Sequence, residues 1–309
     1  MFLNLFGNNS NLSKLFVALF IIVISFLIIM IIGTLIAIPI FNVNFESLTN
    51  PDITDYQHIN LFKFLQSIYS IGIFIVPPII LAILFSDNPK KYLYLNKLPF
   101  LLSAVSVSFI VIFSIPIINF LAELNSNMHF PESFSSIEKI MKDMENEAER
   151  ITVAFLKTNG ISGFIINIIV IALIPAIGEE LLFRGIFQKL FTDWTKNSHS
   201  GVWIAAFLFS AMHFQFYGFL PRLLIGVFLG YTLVLSKNLW LPIIAHFVNN
   251  AFAVSSYFLS NKEIIDQSTE TIGTGQNSIV ILTISIILVF SLIYIFYRNE
   301  KEKSAINQI

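Results

Sequence analysis

The sequence predicts an all-α, polytopic membrane fold of about eight transmembrane helices with an active-site cavity between them. Three observations carry this. Apolar residues make up 56% of the 309 positions and charged residues only 12%, about half the charge of an ordinary soluble domain. The apolar residues fall in long runs, with a mean hydropathy of +0.79, and a run of about 20 crosses a hydrocarbon core of roughly 30 Å. The charges between the runs alternate in sign from loop to loop, as they do when basic loops are held on the cytoplasmic side.

The runs are Leu15–Ile40, Leu61–Phe85, Leu98–Leu121, Ile161–Ile177, Val202–Phe216, Phe219–Leu235, Leu239–Leu259 and Ile279–Tyr297. The first is too long for a cleaved signal peptide, has only Lys14 ahead of it, and is followed by no small-x-small site. Basic residues mark one set of connections: Lys90, Lys91 and Lys97; Arg184, Lys189 and Lys196; Lys237; and Arg298, Lys301 and Lys303. The others are acidic, with Glu46, Asp52 and Asp55 in one loop and Glu263, Asp266 and Glu270 against Lys262 in another. All of them alternate correctly if both termini are cytoplasmic, which supports the count of eight; the expected location is a bacterial plasma membrane.

One connection has structure of its own. Between Phe130 and Asn159, residues Ile137, Ile140, Met141 and Met144 recur at helical spacing among acidic residues. This predicts an external amphipathic helix packed on the mouth of the bundle, with a substrate-capturing lid as the sharper reading. The chain therefore divides into early spans (1–130), the external acidic helix (131–160), a membrane domain carrying the polar residues (161–260), and a last span with a cytoplasmic tail (261–309).

Composition excludes several classes of function. The net charge of −1 offers no basic surface for nucleic acid. The absence of cysteine rules out disulfides, thiolate zinc sites and cysteine nucleophiles. A transporter is disfavoured because the buried charges cluster in one half, with no matched broken helices in the other. The expected partners are the bilayer and a peptide or membrane-protein substrate.

Charged groups at membrane depth are costly and rarely sit there without a role. Here Glu179, Glu180 and Arg184 occur within apolar sequence, and His213 and His246 follow in similar surroundings. Adjacent Glu179 and Glu180 point about 100° apart on a helix. Glu180 and Arg184, spaced i,i+4, share a face and suit an ion pair, which leaves Glu179 free to act on a substrate. Pro175, one turn earlier, disturbs the helix, with Gly178 adding slack, and such a kink can open a wet hollow beside a carboxylate. Phe209 and His213, and His246 and Asn250, are also spaced i,i+4. Phe209 reads as a packing residue, Asn249 is less well placed than Asn250, and His58, His129 and His199 fall in predicted loops. Converging inside a bundle, Glu179, His213 and the His246–Asn250 pair would make a hydrolytic constellation. A carboxylate with a histidine activates water, and a histidine with an amide donates to an oxyanion. Alternatively, Glu179, His213 and His246 suffice as ligands for zinc or another divalent metal with an open position.

At these residues the chain resembles the CPBP family, the type II CAAX prenyl protease-like and bacteriocin-processing membrane proteins. That family shows E-E-x-x-x-R, F-x-x-x-H and H-x-x-x-N. Here they read Glu179-Glu180-Leu-Leu-Phe-Arg184, Phe209-Ser-Ala-Met-His213 and His246-Phe-Val-Asn-Asn250, in order and on separate predicted spans, within Ile161–Leu259. The resemblance implies an eight-helix intramembrane endopeptidase whose cavity opens toward the cytoplasm. It implies that Glu179 and His213 activate water, that His246 and Asn250 stabilise the oxyanion, and that Glu180 and Arg184 shape the site. The family is commonly labelled metalloprotease. Some members resemble scaffold or bacteriocin self-immunity proteins, so a non-enzymatic membrane role is the alternative.

Overall fold

The computed structural model describes residues 4–43, 56–128, 130–158, 160–262, 272–275 and 278–306. Among these there is helix and turn but no strand. His129 and most of the two acidic loops lie outside the described residues.

Helix α1 (Asn11–Phe41) starts at Ser10, whose hydroxyl accepts from the Ser13 N–H, and stops at Asn42 in the left-handed conformation. Phe16, Phe20, Leu35 and Ile40 along it are exposed, as lipid-facing residues of a peripheral span are. Helix α2 (His58–Phe85) runs back alongside and widens into a π-helical stretch at Ile71–Ile75. His58, expected in a loop, instead sits in its first turn and is half-buried. The third run is two helices, α3 (Leu101–Phe113) and α4 (Ile115–Ser126), bent by 42°. Pro116 explains the break, because its ring and missing N–H interrupt the ladder.

The external helix forms as α5 (Ser135–Leu156), and of the four predicted apolar residues only Met141 is half-buried. Ile137, Ile140 and Met144 are exposed, while Glu138 and Glu145 turn toward the bundle. There Glu145 Oε2 accepts the Tyr217 N–H at 2.9 Å and Glu138 Oε1 accepts the Tyr217 hydroxyl at 3.4 Å. The free N–H of a turn needs an acceptor, and this decides the face.

Helix α6 (Ile161–Thr195) is 35 residues long, far beyond the expected end at Ile177. Arg184 thus lies inside a span and is not a loop charge. Helices α7 (Ser198–Ala211), α8 (Phe219–Ser236), α9 (Trp240–Asn261) and α10 (Ser278–Ile306) complete the bundle. Gly226 and Gly230 on α8 let it approach α7 closely: an added Cβ would meet Ala206 Cβ at 3.1 Å and Val202 Cγ1 at 2.8 Å. Small residues four apart serve the same purpose in membrane helix pairs generally.

Five described helices are long and apolar enough to cross a membrane, six if the bent pair counts as one span. Two of the eight expected spans are not among them. α7 has only 14 residues, about 21 Å of rise. α9 is long enough, but His246, Asn249 and Asn250 lower its hydropathy.

The two ends of the bundle differ. At one, Leu239 N–H bonds to the Tyr94 carbonyl, the Asn238 amide to the Lys97 carbonyl, and Ser103 to Glu300. This end gathers Asn4 and Lys303, near the two ends of the described chain, and a cavity of about 870 Å³ lined also by Lys91, Lys97, Lys189 and Lys237. The opposite end carries α5 and the 212–218 turn, where the Phe130 and Phe216 rings meet at 5.0 Å.

Candidate active site

The predicted residues are brought together by α6, α7 and α9. Glu179 lines a cavity of about 340 Å³ with His213, His246, Asn249 and Asn250. The larger cavity at the other end contains none of them.

The floor is an ordered polar chain. Glu180, 0% exposed, accepts two hydrogen bonds at Oε1, from Arg184 Nη1 at 2.7 Å and His246 Nδ1 at 2.9 Å. Arg184 Nη2 donates to the Gly226 carbonyl at 3.1 Å, and its guanidinium lies 4.7 Å from the Phe209 ring centre. The expected i,i+4 pair of Glu180 and Arg184 is therefore present, but Glu180 is not committed to Arg184 alone. It also fixes His246, turning Nε2 toward Glu179, whose Oε2 lies 3.8 Å away. That is too long for a hydrogen bond and suits a bridging water. Glu179 keeps 14% of its side chain exposed.

Pro175 governs a second contact. A proline cannot donate to the carbonyl four residues earlier, here Ile171, and α6 widens into a π-helical stretch over Ile168–Leu173 just before it. The Asn250 amide N–H donates to the Ile171 carbonyl instead, at 3.3 Å. Asn250 Oδ1 accepts from Asn249 at 3.1 Å. Asn250 thus has a backbone-capping duty that the sequence did not reveal, and Asn249, expected to be less well placed, shares the cavity wall.

His213 lies just past the end of α7 in the turn leading to α8, and is exposed. Its Nδ1 donates to the Phe209 carbonyl at 2.8 Å. Phe209 is buried and makes edge-on contacts with the rings of His213 and His246, at 5.2 and 5.8 Å, as a packing residue should. His199 is on the surface near the other end, with Nδ1 2.8 Å from the Tyr231 hydroxyl.

Arg222 went unread in the sequence. It stands in an apolar run, four residues into α8, and lines the same cavity. The signal was the one that singled out Glu179, a charge at membrane depth. Its Nη2 donates to Gln215 Oε1 at 2.8 Å, while its buried Nη1 has no hydrogen-bond partner among the described residues.

Among the described residues no three His, Asp or Glu side chains are grouped to hold a metal ion. Glu179 and His246 are neighbours, but His213 does not complete a triad with them.

His213 and Gly218, which line the cavity, belong to the turn whose Tyr217 N–H bonds to Glu145 of α5.

Residues 161–252 match the family model "Type II CAAX prenyl endopeptidase Rce1-like". The chain is also similar to an uncharacterized protein, YpbD, of Bacillus subtilis (strain 168), at 34% identity over 89 residues. That match covers 28% of this chain and 42% of the relative. No solved structure matches. The matched segment begins with α6, ends within α9, and contains every residue of the polar constellation, so it is this part of the chain that is similar to the Rce1-like, CAAX protease-like family.

Proposed function

We propose that the chain is an intramembrane endopeptidase that hydrolyses a peptide bond with a water activated by Glu179 and His246. The observation that supports this most directly is the pairing of Glu179 with His246 Nε2 across 3.8 Å in a cavity, with the far side of the ring fixed by Glu180 and Arg184. A carboxylate that orients a histidine sets its tautomer and strengthens it as a base. In the neutral ring, Nδ1 carries the proton donated to Glu180, so Nε2 accepts. Two acceptors facing one another suit a water that donates to both. Glu179, the more exposed carboxylate, takes the proton as the water attacks. Pro175 and the widened turn keep the helix open beside it. No step is routed through a metal.

This reading changes two roles implied by the family resemblance. His246 stands with Glu179 as a water-activating residue, and His213 holds the cavity rim. The cleavage site lies toward the face carrying α5, which the loop charges make the external one. The substrate is a peptide or membrane-protein segment that enters the bundle from that face of a bacterial plasma membrane.

The test compares membrane proteomes of strains with the wild-type protein, without it, and with Glu179→Ala or His213→Ala. Processing of at least one membrane protein is expected to disappear in the deletion and in the Glu179→Ala strain, with the variant inserted at normal level. A deletion phenotype fully restored by the Glu179→Ala, His213→Ala double variant would instead establish a non-enzymatic scaffold or immunity role.

A further inference from the structure

We propose that the lysine-lined end of the bundle binds an anionic phospholipid, its phosphate in the 870 Å³ cavity and an acyl chain along α3. This does not depend on the peptidase reading. Five lysines line that cavity against two carboxylates, Asp87 and Glu300, so the lining carries a net charge of +3. Glu300 pairs with Lys303 at 2.7 Å, and Asp87 Oδ2 accepts from the Asn4 amide at 3.0 Å. Among the described residues, Lys91, Lys97, Lys189 and Lys237 have no carboxylate within ion-pair distance. Asp193, one turn after Lys189, lines a neighbouring cavity instead.

Basic loops on one side of a membrane are ordinary. That rule does not gather lysines from the 88–100 segment, α6, the α8–α9 junction and α10 around one hollow. Nor does it place Lys189, which belongs to α6 and is held in position. Its ammonium donates to the Tyr92 carbonyl at 3.3 Å and lies 3.7 Å from the Tyr92 ring centre. Like charges facing one cavity repel each other, and a bound anion removes that repulsion.

The rim identifies the anion as a lipid. Leu98 and Phe100 line the cavity, yet are 82% and 63% exposed. Directly after them, Leu101, Val105, Phe109 and Ile112 share one face of α3. Val105, Phe109 and Ile112 also line an apolar groove of about 210 Å³ there. A soluble phosphate ester would leave that surface bare. A phospholipid uses both parts: its phosphate accepts from the ammonium groups, and its hydrocarbon chain covers the groove. Basic pockets between transmembrane helices hold anionic head groups in this way.

The experiment uses purified full-length protein in an uncharged detergent. The probes are phosphatidylglycerol, phosphatidylcholine and glycerophosphoglycerol, which is the first head group without acyl chains. Binding is read by native mass spectrometry and by the rise in Tm. Phosphatidylglycerol is expected to bind and raise Tm, and phosphatidylcholine to do neither. Glycerophosphoglycerol should bind roughly 10²-fold or more weakly, because it buries no hydrocarbon. Lys91→Gln with Lys97→Gln alters two exposed side chains. It should weaken phosphatidylglycerol by roughly 30-fold, the weight of two lysines near an anionic lipid. Lys189→Gln with Lys237→Asn should do the same, since asparagine suits the left-handed backbone at 237 (φ 49°). Lys90→Gln, Lys196→Gln and Lys301→Gln together neutralise basic residues that do not line the cavity, and should leave binding unchanged. An equal loss in that triple variant, or equal binding of phosphatidylcholine, would overturn the proposal by showing general attraction to the membrane surface. Glycerophosphoglycerol binding as tightly as the intact lipid would overturn the lipid assignment in favour of a soluble phosphate ester.

Discussion

Exchanging each member of the buried chain separately tests the division of labour between the two adjacent glutamates. At the 2.7 Å separation of Arg184 and Glu180, the attraction is about 6 kcal/mol for an effective dielectric constant of about 20. Desolvation of both groups offsets much of that, so the pair contributes little net stability, but removing one partner strands the other. Arg184→Ala leaves Glu180 buried with His246 alone, and the expected loss is about 3–5 kcal/mol. Glu180→Gln preserves shape and an acceptor oxygen but strands the buried Arg184 charge, for a loss in the same range of about 3–5 kcal/mol. Glu179→Gln touches no hydrogen bond of the polar chain, and its stability cost should stay below about 1 kcal/mol. Activity should fall in all three. Thermal unfolding of the purified variants in one detergent gives the order directly, with cleavage assayed on the same samples. If Glu179→Gln were the least stable and Glu180→Gln the most, the two carboxylates would have been assigned the wrong way round.

Two further outcomes follow. Because the chain has no cysteine, Lys91→Cys and Lys142→Cys can each be labelled singly in intact cells; a membrane-impermeant maleimide should modify position 142 on α5 and not position 91, and the reverse pattern would put the cavity's face in the cytoplasm. Dialysis against a chelator should leave peptide cleavage unchanged, whereas stoichiometric zinc whose removal and return switch activity off and on would refute the metal-free route.

What could be read from sequence was whatever is local. The i,i+4 spacing of Glu180 and Arg184 places both on one helical face whatever surrounds them, and the apolar runs locate half of the helices to within a turn at both ends. The link from Glu180 to His246 spans 66 residues and exists only through packing of α6 on α9, which no spacing encodes. The end of α6 was misplaced for a related reason. Hydropathy falls at Glu179, so the run reads as finished, but a charge neutralised inside the bundle does not stop a helix. α5 shows the opposite limit. Its periodicity gave the helix, yet which face turns inward depended on Tyr217 needing an acceptor, a fact of the neighbouring turn. Arg222 was legible by the same test as Glu179, as a charge within an apolar run.

The π-helical stretches have a consequence for how this chain can change length. Ile71–Ile75 on α2 lies against Gly178, where an added Cβ would meet Phe74 Cβ at 2.8 Å, and Ile168–Leu173 and Leu181–Gln188 flank the two glutamates on α6. Each such stretch holds surplus residues within a continuous helix. Deleting one residue there would let the turn relax to ordinary α-helix and rotate everything on one side by about 100° relative to the other. Glu179 would leave the cavity, or Arg184 would leave Glu180, although no functional side chain had been altered. Single-residue insertions and deletions in this part of α6 should therefore be as damaging as replacing the glutamates, while the same changes in the loops should pass unnoticed.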